Sequence, residues 1–405
     1  MSGCPVVVLD IGASKIHCLV GEAQAGEVRI LGSGLSACSG IRRSAVIDMP
    51  RVVEAIRHAV REAERTAGLK ITGAFVGAAG HGAATHTSKS AVAISGSLDP
   101  IDENDVQRAL AAAEQSAPPA AAMVLHRFVD SYAVDGEPVQ NPLWLHANKL
   151  EVETISATAS THSCATLERA VEEAGLEVAG FILEAVAASW ALLTSDEREM
   201  GVAILDIGAG TSDLAIFKGS LRHVFEIPFG SEDITKDLSV VLNISPREAE
   251  KLKRDHGSVC CTAEDADQTV TFQTTAGRPH ALVQQQLSAI IEARQEEILE
   301  FVSTRLEESI GSEILAAGMI FTGGGSLLAN VDKLGEEVLG IPVRIGTPRG
   351  VLAAESFEDP HNTVAVGLLQ FATDSHASLA GSVLQPGQGA SSGFLDKISR
   401  IFSFL

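Results

Sequence analysis

The sequence predicts an α/β chain of two related half-domains facing each other, each built on a mixed sheet, and three observations carry that prediction. Residues 201–217 place two apolar, β-branched runs around Asp206 and a Gly208-Ala-Gly210-Thr211-Ser212 turn, the pattern of a hairpin with a glycine tip. Residues 6–20 repeat it: Asp10 ends a strand, Ile11-Gly12-Ala13-Ser14 makes the turn, and Lys15 opens an apolar return strand. One unit used twice, far apart in the chain, is the mark of duplicated halves. The third observation is residues 318–328, a short apolar strand followed by Gly323, Gly324 and Gly325 and then a helical pattern.

These tips suit an anion. Glycines let successive backbone N–H groups turn toward a phosphate, and glycines between a strand and a helix let a ligand approach the backbone closely. Asp10 and Asp206 end equivalent strands, where a carboxylate can hold a hydrated divalent cation facing the same phosphates. Lys15 alone would read as an exposed lysine, but beside Gly12 and Ser14 it is a candidate phosphate contact. Thr211 and Asp213 follow the second tip. Taken singly each segment also reads as an ordinary tight turn, whereas three in this order argue against coincidence.

With 405 residues, 45% of them apolar and 20% charged, the chain is too long for one ordinary domain and can bury substantial cores. A net charge of −22 argues against nonspecific nucleic-acid binding, which needs a cationic surface. An anionic membrane would also repel the body of the protein, so lipid contact requires a separate driving force. Cys4, Cys18, Cys38, Cys164, Cys260 and Cys261 have neither CxxC nor zinc-like spacing, so reduced cytosolic thiols are expected. The early first strand predicts no signal peptide. No apolar run reaches the ~18–20 residues of a spanning helix.

In chain order, residues 28–35 read as a third antiparallel strand, and residues 50–68 as a helix with Val52, Val53, Ile56, Ala59, Val60 and Ala63 on one face and Gly68 as its stop. A strand follows at 71–78. From 81 to about 160 short strands (91–94, 123–129, 149–159) surround one helix, 103–115, with Asp102 as N-cap and Pro118-Pro119 beyond it. This is a small α+β insertion without phosphate chemistry, and its histidines lack ligand spacing. A helix at 163–174 and a strand at 176–182 lead to a small-residue helix running to about Thr194, then a charged loop, 194–199. After the second hairpin and a strand at 220–228, residues 231–305 read as an inserted helical lobe. Ser245-Pro246 start a helix whose charged run, 247–254, reads as a solvated face with Glu250–Lys253 and Glu250–Arg254 pairs. A long helix (284–306), the glycine triplet, a helix at 327–339, a strand at 341–346 and a helix at 363–373 complete the body.

Residues 374–392 lose periodicity and have a linker's composition. Beyond them Phe394, Leu395, Ile398, Ile401, Phe402 and Leu405 share one helical face, opposite Asp396, Lys397, Ser399, Arg400 and Ser403. A short amphipathic helix is usually packed in a core; after a linker, insertion into a lipid interface is the better reading, driven by apolar burial because the charges nearly balance.

The ordered set of Asp10, Gly12, Ser14 and Lys15, then Asp206, Gly208, Gly210, Thr211 and Asp213, then Gly323–Gly324–Gly325, resembles the actin/sugar kinase/70-kilodalton heat-shock ATPase superfamily. Small-residue segments at 183–189 and 362–368 resemble its paired hinge helices. The position of the insertion and the greasy tail are similar to the bacterial FtsA cell-division family. The pilus protein PilM shares the insertion but lacks the tail. Ala13 departs from the threonine often found in the first hairpin.

The resemblance implies an actin-like ATPase fold with subdomain IA beginning at 1–80, an inserted subdomain IC at 81–162, the rest of IA and the start of IIA at 163–230, IIB at 231–305, the end of IIA and closing IA helix at 306–373, a linker at 374–392 and a membrane-targeting helix at 393–405. It implies ATP and Mg2+ as cofactors, with Asp10 and Asp206 holding the metal through water, and Glu250 and Lys253 on the ribose and adenine. Gly323–Gly325 would back the nucleoside, and Asp206 would orient the attacking water of a slow ATPase. Implied partners are the FtsZ C-terminal tail on IIB, where Lys251, Arg254 and Arg278 are basic candidates, other divisome proteins through IC, further copies in filaments, and the lipid of the inner membrane at the septum. Alternatives are a PilM-like peptide-binding scaffold and a small-molecule kinase of the same superfamily, which would need a sugar-site motif that is not seen.

Overall fold

The computed structural model describes residues 5–79, 82–94, 100–115, 121–261, 266–311, 314–353 and 357–379. The amphipathic segment 393–405, Pro118-Pro119 and the linker from residue 380 lie outside them.

The first half opens with β1 (Val6–Ile11), β2 (Lys15–Gln24) and β3 (Glu27–Ala37), then the short pair β4 (Ile41–Arg42) and β5 (Ala45–Val46), helix α1 (Met49–Ala67) and β6 (Gly73–Ala78). Asp48 caps α1 by accepting from Arg51 N–H, and left-handed Gly68 ends it. The insertion holds β7 (Ala84–Ala93), α2 (Glu103–Glu114), β8 (Ala122–Val134), β9 (Glu137–Val139) and β10 (Lys149–Ser160). Its sheet runs β7-β10-β8-β9, with α2 packed on it through a small core of Ile94, Ile101, Ala109, Leu150 and Val152. The chain then returns through α3 (Thr161–Glu173), β11 (Glu177–Leu183), α4 (Glu184–Leu192) and α5 (Ser195–Met200).

The second half repeats the hairpin as β12 (Val202–Ile207) and β13 (Ser212–Lys218), followed by β14 (Ser220–Ile227), α6 (Ser231–Val241), α7 (Pro246–His256), β15 (Thr269–Gln273), β16 (Pro279–Val283), α8 (Gln284–Ile310) and β17 (Met319–Thr322). A 3-10 turn (Gly324–Leu327), α9 (Val331–Leu339), β18 (Val343–Ile345), β19 (Val351–Leu352), a second 3-10 turn (Pro360–Asn362) and α10 (Thr363–Leu379) finish it. The two main sheets run β11-β6-β1-β2-β3-β19 and β14-β13-β12-β17-β18, each with its hairpin beside a third antiparallel strand and parallel strands on the other side. Along β12 alternate residues serve two cores: Val202 and Ile204 face the hinge helices, while Ala203, Leu205 and Ile207 face the lobe of α6–α8.

Helices α4 and α10 cross between the halves. A Cβ on Gly367 would lie 1.9 Å from Ala187 O, so only glycine lets the two backbones come this close. The insertion is tied to both halves. Buried His126 accepts the Leu183 N–H through Nε2 at 2.9 Å, at the start of α4, and meets the Phe371 ring of α10 edge-on. On the other side Asp130 pairs with Arg222 at 2.6 Å, and Thr85 Oγ1 donates to Arg222 O.

Four local expectations are corrected. The charged loop after α4 is the short helix α5, because Thr194 and Glu197 form a capping box; α4 accordingly stops at Leu192. The lobe is not all helical, since β15 and β16 form a hairpin between α7 and α8. The glycine triplet enters a 3-10 turn, and the helix starts only at Val331. Helix α10 runs to Leu379, past the expected linker boundary, because no proline and no glycine follows Gly367 within it.

Candidate nucleotide site

The two hairpin tips are built alike. Gly12 N–H donates to Lys15 O and Gly208 N–H to Thr211 O, both at 2.9 Å. These two amides therefore close their own turns. Register places Asp10 opposite His17 and Asp206 opposite Asp213. The tips meet: a Cβ on Gly210 would be 3.5 Å from the Ala13 Cβ. Ser14 is exposed at the first tip.

Behind the tips lies a concentration of carboxylates. Asp206, Asp213 and Glu226 stand in cross-strand register on three adjacent strands, an arrangement of like charges that disfavours the bare protein. Asp10 comes from the first half, and Glu184 enters from the first turn of α4. The Glu184 Oε1 is sealed from solvent without a hydrogen-bond partner. Burial, then the charges of Asp10, Asp213, Asp206 and Glu226, hold its carboxyl well above the usual range. Burial and Asp10 push Asp206 up to about 7 against the pull of Lys15, and burial likewise raises Asp10. Lys15 is lowered by burial, opposed by Asp10 and Asp206, and its ammonium donates to His361 O.

That same turn binds the third glycine site to the first hairpin. Pro360 O accepts from Gly323 N–H, and Thr322 and Thr363 share a buried hydroxyl contact of 2.6 Å. Within the triplet the glycines differ. Gly323 has φ +79°, and its Cβ would fall 2.1 Å from Asp206 Oδ1; a Cβ on Gly325 would strike Ile207. Gly324 faces open space. Asp206 is thus pressed against the third site by its own neighbour in the sheet.

Glu250 and Lys253 form a 2.8 Å ion pair on α7. The solvated-face reading fails for Lys253, which is buried and also donates to Ser231 O and Thr235 Oγ1. Burial opposes the Glu250 charge, but bonds from Lys253, Thr235 and Arg254 hold its carboxyl below the usual range. Lys253 is lowered by burial, which outweighs Glu250.

Sequence reasoning missed Glu184 and Glu226. Glu184 had a signal, an acid heading a helix otherwise made of small and apolar residues; Glu226 had none without strand register. Among the described residues no three His, Cys, Asp or Glu side chains converge tightly enough to ligate a metal directly. The excess of buried carboxylate around Lys15 fits a divalent cation that keeps its waters, which would neutralise that charge.

The profile for "Cell division protein FtsA" matches residues 203–367, and that for "SHS2 domain inserted in FTSA" matches residues 80–158. The cell division protein FtsA of Pseudomonas aeruginosa is 34% identical over 375 residues, 91% of this chain and 89% of that protein. The chain belongs to the FtsA family. FtsA of Escherichia coli K12 is 31% identical over 383 residues, 92% of this chain and 91% of its own. Solved structures place this FtsA-family chain in the actin-like fold: a chain of a PilM–PilN type IV pilus biogenesis complex (18% identity, TM-score 0.61, covering 91% of this chain and 98% of that one) and MreB5 of Spiroplasma citri bound to ADP (14%, 0.56, covering 93% and 99%). At these identities they speak for the fold alone. The β7–β10 insertion is the FtsA-type SHS2 domain, and no helix among the described residues is long and apolar enough to cross a membrane.

Proposed function

We propose that this FtsA-family chain binds ATP with Mg2+ between its halves, assembles with further copies into filaments, and tethers FtsZ polymers to the cytoplasmic face of the membrane at the division septum. The carboxylate concentration around Lys15 at the meeting of two matched glycine tips carries the nucleotide part. Asp10 and Asp206 hold the cation through water. Gly12, Ser14, Lys15, Gly208, Gly210, Thr211 and Asp213 surround the phosphates, Gly323–Gly325 back the nucleoside, and Glu250 with Lys253 read its ribose and adenine. When bound, the cation supplies charge neutralisation at the phosphates. Glu184, like Asp206, is placed to hold a water, and turnover is slow. The FtsZ tail docks on the α6–α8 lobe, and other division proteins dock on the SHS2 insertion.

The apolar face of Phe394, Leu395, Ile398, Ile401, Phe402 and Leu405 anchors the chain as a peripheral protein. Full burial of a large apolar side chain is worth roughly 1.5–3 kcal/mol, so partial insertion of six suffices for reversible binding. Liposome co-sedimentation of the full chain and of residues 1–392, each with and without ATP–Mg, tests this. Full-length protein should pellet with vesicles and the shortened form should not. Equal pelleting of both refutes the anchor, and absence of any ATP affinity refutes the nucleotide reading.

A further inference from the structure

Strands β4 and β5 are joined through Arg43 and Ser44, whose φ angles are +46° and +59°. A two-residue hairpin turn with both central residues left-handed is normally filled by asparagine, aspartate or glycine. Arginine and serine are strained there, and such strain persists only where the surroundings impose it.

Here the opposite half imposes it. Arg43 N lies 3.2 Å from where a Cβ on Gly210 would sit, beside Ala13 of the first tip. The Ser44 and Thr211 hydroxyls are 3.3 Å apart. The Arg43 guanidinium lies 6.0 Å from the Phe229 ring centroid and 4.0 Å from Asp233. The turn therefore reaches from the first half to the second hairpin, beside the two glycine tips.

Its guanidinium is weakly engaged. Asp233 already accepts from Gly230 N–H at 3.1 Å and from Lys236 at 2.8 Å. The Arg43 side chain is 49% exposed and at the limit of ion-pair distance, where a pair contributes almost nothing. A planar guanidinium can instead make two parallel hydrogen bonds to a phosphate.

We propose that Arg43 determines specificity in the cleft: its guanidinium leaves Asp233 to grip the terminal phosphate of a nucleoside triphosphate, while the Ser44–Thr211 contact holds the turn in place. The proposal rests on the nucleotide reading above and adds to it that a triphosphate is preferred over a diphosphate through this residue. The strain in the turn is the cost of presenting an arginine, where glycine would be relaxed.

The test is calorimetric binding of Mg2+ with the β,γ-imido analogue of ATP, and of Mg2+ with ADP, to the full chain and to Arg43→Ala and Arg43→Lys. Alanine keeps the Cβ and hence the backbone strain, so it removes the guanidinium alone. It should weaken triphosphate binding about tenfold, the scale of a lost charge-assisted contact, and leave ADP within about twofold. Lysine, lacking the fork, should recover only part of the loss. Equal losses for both nucleotides, or no loss for either, overturn the proposal alone. Wild-type protein that binds neither nucleotide overturns the reading beneath it as well.

Discussion

Asp206→Asn isolates the electrostatic cost of the site. Asparagine keeps the shape of the side chain against Gly323 but cannot ionise. Burial and Asp10 raise the Asp206 carboxyl from 3.8 to about 7 in the folded protein. The unfolded chain thus gives up this proton first. Between about pH 4 and pH 7 the folded state holds more protons, and stability falls as pH rises; above about pH 7 the whole penalty is present. At about 1.4 kcal/mol per pH unit the full penalty is about 4 kcal/mol, and sharing of charge with Asp10 and Lys15 reduces the expected effect to about 2–4 kcal/mol. The variant should match wild type near pH 4 and exceed it by about 2–5 °C in midpoint at pH 8. A cation bound with nucleotide offsets the same penalty, so ATP–Mg should protect wild type more at pH 8 than at pH 5.5, and should protect the variant less. Thermal melts from pH 4 to 8.5, with and without ATP–Mg, measure both. A variant no more stable than wild type at pH 8, or one protected equally by ATP–Mg, refutes the reasoning.

Gly367→Ala drives a methyl into the Ala187 carbonyl, so the hinge helices must part; a loss of about 1–3 kcal/mol in denaturant melts is expected, the range of overpacked cores. Lys253→Met removes the buried partner of Glu250 and the donor to Ser231 O; about 1–2 kcal/mol of stability and roughly tenfold in nucleotide affinity should be lost, read by melting and calorimetry. His126→Ala leaves the Leu183 N–H without its acceptor and a void beside Phe371; it should cost about 2–4 kcal/mol, with His126→Gln recovering part by supplying an acceptor. Burial holds His126 down from 6.5 to about 3 in the folded protein, so below about pH 6.5 the unfolded wild type binds a proton that the folded one does not; the loss from His126→Ala should be largest near pH 8 and shrink toward pH 5.

What the sequence alone determined is what neighbouring residues decide together. Apolar, β-branched runs with glycine at the turn specified both hairpins, because such runs and a close-packed turn are properties of a few consecutive residues. The same holds for α1, where Asp48, the apolar stripe and Gly68 supply start, face and stop. Repetition of the hairpin then made the two-half architecture legible, and the resemblance to the family rested on it together with the insertion and the amphipathic tail. The boundary that shifted at α5 turned on a capping box, which is a finer signal than periodicity.

Only the tertiary structure decided which of these residues share a site. Glu184 and Glu226 join Asp10, Asp206 and Asp213 through the hinge crossing and the strand register, and neither can be computed from local pattern. The Lys253 charge looked solvated because the helix face is polar, whereas packing against α6 buries it. Arg43 and Ser44 carry no signal of their own; their strained turn has meaning only against Gly210 and Thr211 of the other half. Local pattern selects elements at a cost of tenths of a kcal/mol per residue, while the concentration of like charge that defines this cleft exists only once two hairpins distant in sequence are brought tip to tip.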